Sequence, residues 1–156
     1  MFTPKADGVR ALLLMFKYHI EADFHKMSAL LYRDGTCQLI PGLCTSEEPC
    51  LHGGSLFDCE IMVSPCGTVT AQIFDCYAFS GVCYVKHALQ RRIARSQYML
   101  EVCYQPRSHD PILLKAKEYF PFTRGNIDLV ESILANAHYL DFPVDGIVLV
   151  PTRKRG

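Results

Sequence analysis

Near the start of the chain, Lys5-Ala6-Asp7-Gly8-Val9-Arg10 sets a lysine two positions before an Asp-Gly pair and an arginine two positions after it. A lysine amine attacks phosphorus only when neutral, so a reactive Lys5 needs a lowered pKa, which nearby cations and a partly desolvated pocket supply. The planar fork of Arg10 suits ribose hydroxyls or phosphate oxygens. Asp58 and Glu60 stand inside an apolar run, LFDCEI, where a carboxylate needs a partner. Phe74 offers a flat face on which a purine can stack. Asp145 precedes the run GIVLV and suits a metal-facing role, and Lys115 and Lys117 add cations from the segment ILLKAK. Each type also has a plainer use. Phe74 can be core, Lys115 and Lys117 can be the solvated face of an edge strand, and Asp7-Gly8 can be a simple turn.

These residues need elements to carry them. The run VRALLLMF, from Val9 to Phe16, reads as a buried strand. Ser28 to Ile40 reads as a hairpin about Asp34-Gly35. Residues 41–54, with two prolines and three glycines, read as a loop. Ser55 to Val63 and Thr68 to Phe79 are two further strands about a turn at Pro65 and Gly67. Leu89, Ile93, Gln97 and Leu100 recur at helical spacing within residues 86–102, with Arg91, Arg92 and Arg95 between them. Residues 112–120 read as a strand with Lys115 and Lys117 on one face. Asn126 is placed to cap a helix whose face holds Ile127, Val130, Leu134 and Ala137, with Asp128 in its first turn. Gly146 to Val150 is a last short strand, stopped by Pro151. The pattern predicts an α+β fold of mostly antiparallel strands with two or three helices, in a single domain spanning residues 1–156.

Composition narrows the class. The 16 Lys+Arg balance the 16 Asp+Glu in 156 residues, and 49% of the chain is hydrophobic. That excludes a disordered chain and supplies no global positive field for coating nucleic acid. No run approaches the length of a membrane span, and no leader segment is evident. None of the eight cysteines forms a CxxC pair, and Cys37, Cys44, Cys50 and His52 match no standard zinc spacing. The expectation is reduced thiols in an intracellular protein.

KADGVR resembles the nucleophile motif KxDGxR of the covalent nucleotidyltransferases, the superfamily of mRNA capping guanylyltransferases, ATP-dependent DNA ligases and RNA ligases. Three further stretches resemble its later motifs, in order: LFDCEI at residues 56–61, IFDC at 73–76 and VDGIVLVP at 144–151. The hairpin YRDG at 32–35, the segment PILLKAKEYF at 111–120 and the exit Val150-Pro151-Thr152 are most similar to the capping enzymes. Cys59 stands where the family has glycine, and the lysine pair that follows the last of these motifs is not matched.

The resemblance implies a ligase-type nucleotidyltransferase domain in which Lys5 forms a lysyl-GMP from GTP and passes GMP to the 5′-diphosphate end of RNA. It implies Mg2+ or Mn2+ at Asp145 and Glu60. It assigns Asp7, Gly8, Arg10, Glu60, Phe74, Lys115 and Lys117 to the nucleotide. It further implies that a second chain supplies the unmatched lysines or an oligonucleotide-binding fold. RNA would meet local basic strips, Lys115, Lys117 and Arg153 to Arg155, and the setting would be the nucleus or another site of transcription. Two alternatives stay open: a ligase adenylation domain using ATP, and a non-catalytic domain that binds nucleotide, RNA or a partner protein.

Overall fold

The fold is that of a computed structural model, which describes residues 1–21, 23–43, 46–123, 125, 127–136 and 144–151. It is a mixed α+β arrangement dominated by antiparallel strands. The strands are β1 (Phe2–Ala6), β2 (Val9–Ile20), β3 (Asp23–Tyr32), β4 (Cys37–Pro41), β5 (Ser55–Val63), β6 (Val69–Phe79), β7 (Val82–Cys83), β8 (Leu113–Ala116) and β9 (Val144–Leu149). The helices are α1 (Leu89–Tyr98) and α2 (Ile127–Ala135), with a 3-10 turn at Glu48–Gly53 and a π-helical turn at Met99–Cys103.

The large sheet runs β4-β3-β2-β5-β6-β7, all antiparallel. β8 adds to the remaining edge of β6 in parallel, pairing Thr70 with Leu113 and Ile73 with Ala116. A parallel neighbour needs a crossover, and here α1 and the π turn make it between β6 and β8. The expected hairpin at Asp34-Gly35 forms between β3 and β4, with Gly35 at φ 88°. β1 and β9 form a separate two-stranded sheet, and the Met1 amino group donates to the Val150 carbonyl at 3.1 Å.

Alternation sorts the strand residues. Ala11, Leu13 and Met15 of β2, Phe57 and Cys59 of β5, and Ala71 and Ile73 of β6 point into one core, which Met99, Cys103, Tyr104 and Leu114 also enter. The intervening residues, Arg10, Asp58 and Glu60, belong to the opposite face. Cys59, in the place of the family's glycine, is therefore in the core, where its thiol donates to the Ala11 carbonyl at 3.3 Å. It does not crowd the face that carries Asp58 and Glu60.

Several expectations are corrected. β1 was not anticipated, because a short strand containing Pro4 gives no run of alternation. β2 continues to Ile20 and β3 starts at Asp23, so residues 16–20 and 23–26 form a ribbon outside β5 and β4. The buried stripe of the first helix runs through Ser96, Met99 and Cys103, with Arg92 half-buried on it and Gln97 exposed. An arginine is tolerated on that inner stripe because Asp75 receives its charge. In α2 no residue is buried: Ile127 and Leu134 are exposed and Val130 is half-buried. Cys44, Asn126, Ala137 and Arg153 to Arg155 lie outside the described residues. No disulfide joins the described cysteines, and no described helix is long and apolar enough to cross a membrane.

Candidate functional site

Both sheets contribute to a cavity of about 830 Å3, lined by Thr3 and Lys5 of β1, Glu60 of β5, Phe74 and Asp75 of β6, and Val148 of β9. His87, Ala88, Leu89 and Arg92, around the start of α1, line it as well, as do Lys117 and Tyr119 after β8 and Val150 and Pro151 after β9. Lys5, Glu60, Phe74 and Lys117, singled out on four separate stretches, thus share one cavity.

Lys5 is ion-paired with Asp145. The pairing of β1 with β9 slips between Pro4 and Ala6, so Lys5 faces residues 145 and 146 together, and Gly146 takes up the irregularity at φ 150°. Asp145 holds the Lys5 amine above its ordinary value, and Asp7 and Glu60 act in the same sense. This is opposite to the fall that nucleophilic attack requires. The lowered amine is that of Lys117. It is buried, 3.9 Å from Glu60 and 5.5 Å from the centre of the Phe74 ring. Burial depresses it, and the Lys5 charge adds to the depression.

Glu60 is fixed by Gly8, whose backbone N–H donates to Oε1 at 3.3 Å. A side chain at position 8 would put Cβ 2.6 Å from the Ile61 carbonyl and 2.8 Å from Glu60 Cγ. The glycine therefore serves a close approach of chain to chain.

Arg10 lies beside the cavity, not in its lining. Its guanidinium spends Nε and Nη2 on Asp58, at 2.9 and 2.5 Å. Asp58 is wholly buried and also accepts from the Tyr77 hydroxyl at 2.5 Å. The pairing raises the Arg10 pKa further. The arginine expected to meet nucleotide thus neutralises a buried carboxylate first, and passes 5.7 Å from the Phe74 ring centre.

Phe74 reaches the cavity through an irregular strand. Asp58 pairs with Asp75 and Cys59 with Ile73, so Phe74 is an extra residue on β6, and Tyr77 is another. Bulges of this kind re-aim a side chain. The Tyr119 hydroxyl donates to the Phe74 carbonyl at 2.9 Å, and Arg92 grips Asp75 at 2.7 and 2.8 Å. A third Arg92 nitrogen donates to the His87 carbonyl at 2.8 Å.

Asp7 is exposed and Lys115 is exposed; neither lines the cavity. Tyr77, Tyr119, Arg92 and Asp75 were not read as site residues. The one signal for them was the cost of carboxylates in apolar strands, which demands partners without naming them. Two further lining residues carry buried polar atoms with no hydrogen-bond partner among the described residues: Thr3 Oγ1 and His87 Nδ1.

Among the described residues no three His, Cys, Asp or Glu side chains cluster as metal ligands. Mg2+ needs no such cluster, since one or two carboxylates plus substrate phosphates commonly hold it. Asp145 and Glu60, hard oxygen donors that both act on Lys5, fit that kind of donor set. Comparison with known proteins finds no family model that matches the chain and no matching curated protein.

Proposed function

We propose that this chain is a covalent nucleotidyltransferase domain of the mRNA capping guanylyltransferase type. The observation that supports the reading is the convergence of Lys5, Glu60, Phe74 and Lys117 on one cavity large enough for a nucleotide, with Asp145 on Lys5. In the first step the neutral Lys5 amine attacks the α-phosphorus of GTP. A P–N bond forms, the P–O bond to pyrophosphate breaks, and the amine loses a proton. In the second, a terminal phosphate oxygen of a 5′-diphosphate RNA attacks the same phosphorus, GMP passes to the RNA, and the lysine is regenerated. Splitting the transfer in two is the general advantage of a covalent route.

Phe74 provides the stacking face. Lys117 and Arg10 place positive charge at its ring, and Glu60 and Lys5 meet the ribose and phosphates. Asp145 and Glu60 would hold Mg2+ or Mn2+ with the nucleotide phosphates, and the metal supplies charge neutralisation at the α-phosphate.

The test is incubation with α-labelled GTP or ATP and divalent metal. A covalent GMP adduct, lost in Lys5→Ala, is expected. An AMP adduct instead assigns the chain to the ligase branch. A second reading has its own observation, the protonated Lys5 held by Asp145: the site then binds nucleotide without reacting. GTP binding with no adduct across a range of metals and pH would select it.

A further inference from the structure

Thr3 is only 2% exposed, yet its hydroxyl has no hydrogen-bond partner among the described residues, and it lines the cavity. His87 lines the same cavity, and its buried Nδ1 is likewise without a partner. Its ring rests on Tyr84 at 5.1 Å, and its backbone is fixed by Arg92. A buried polar atom without a partner costs folding free energy, so two on one cavity wall call for an explanation. A ligand is one, because its polar atoms would satisfy both. The third such atom among the described residues, Gln72 Oε1, is not on that wall.

The same cavity offers the Phe74 ring as a flat platform. A planar ring stacked there has a polar edge, and that edge must meet hydrogen-bonding groups or lose its hydration. The Thr3 hydroxyl can accept or donate, and the His87 Nδ1 accepts when the ring proton is on Nε2. We infer that Thr3 and His87 read the polar edge of the purine, satisfying the N1–H and 2-amino group of guanine. The inference rests on the nucleotide reading of the cavity but not on the covalent step.

The test is reversible binding of GTP, ITP and ATP by calorimetry or equilibrium dialysis, to wild type, Thr3→Val, His87→Phe and the double variant. GTP affinity should fall several-fold to about tenfold in each single variant, and the preference for GTP over ATP should narrow. ITP, lacking the 2-amino group, should lose less than GTP. Thr3→Ser, which keeps the hydroxyl, should retain the wild-type preference. Thr3→Val should match or exceed wild type in thermal stability, because it removes an unsatisfied buried group. A purely structural threonine would be destabilised with affinity unchanged. Unaltered GTP affinity and preference in the double variant overturn the inference, as does a wild type that binds none of the three. Weakened binding in a protein that never forms an adduct would sustain it while removing the covalent step.

Discussion

At the scale of single residues, the site is a set of charges already spoken for. Lys5 is held protonated by Asp145. A raised lysine pKa means that protonation persists to higher pH, and the ion pair is lost as pH rises through that value. Asp145→Asn removes the leading cause. Amine-selective labelling of Lys5, followed by mass spectrometry, should then begin at lower pH than in wild type. An unchanged profile would show that Asp145 does not control the amine.

Asp58 poses the complementary case. It is wholly buried between Arg10 and Tyr77. Arg10→Met leaves that carboxylate with a single hydroxyl, and urea unfolding should show a loss of about 2–3 kcal/mol, below the figure for a fully buried pair because Arg10 is half exposed.

Cysteine chemistry separates just as sharply. Burial pushes the Cys59 thiol up to about 12. Hydrogen bonds from Ser64 and Thr68 lower the exposed Cys66 to about 7. Iodoacetamide at pH 7 should modify Cys66 well before Cys59, as peptide mapping would show.

At the scale of elements, the site depends on departures from regular strand geometry. β6 carries Phe74 and Tyr77 as extra residues opposite β5. Sequence alternation identified β5 and β6, but a bulge changes which side chain faces where without changing composition. Phe74 was therefore legible as an aromatic on a strand, not as one turned into a cavity. The same limit applies to the first helix. Its spacing suggested an aliphatic stripe through Gln97, whereas the inner face follows Ser96, Met99 and Cys103, with Arg92 beside Asp75. A charge on an inner face is invisible to periodicity unless its partner is known.

Gly8 is the element-scale test. Gly8→Ala drives Cβ to 2.6 Å from the Ile61 carbonyl, so β5 must shift from the chain leading into β2. The expected cost is about 1–3 kcal/mol, with weaker nucleotide binding as Glu60 loses its backbone donor. Chemical denaturation and GTP titration of the same variant would check both.

At the scale of the whole molecule, the large sheet brings Glu60 and Phe74, and the small sheet brings Lys5 and Asp145. Two strands alone make a marginal sheet. Amides of β1 and β9 should therefore exchange with solvent faster than those of β2, β5 and β6. GTP, by touching both sheets, should slow β1 and β9 most. Hydrogen exchange with and without nucleotide would measure this, and uniform protection across the chain would contradict it.

The sequence by itself determined which residue types could act on a nucleotide, the α+β class, the Asp34-Gly35 hairpin and most of the large sheet. Those follow from local chemistry and from alternation, which act over a few residues. The tertiary structure alone decided that Lys5 meets Asp145 across 140 positions and that Asp58 consumes the fork of Arg10. It also turned Cys59 to the core and left Thr3 and His87 on a cavity wall without partners. Those outcomes depend on register, bulges and the approach of two sheets. They are set by packing between distant segments, which no local pattern encodes.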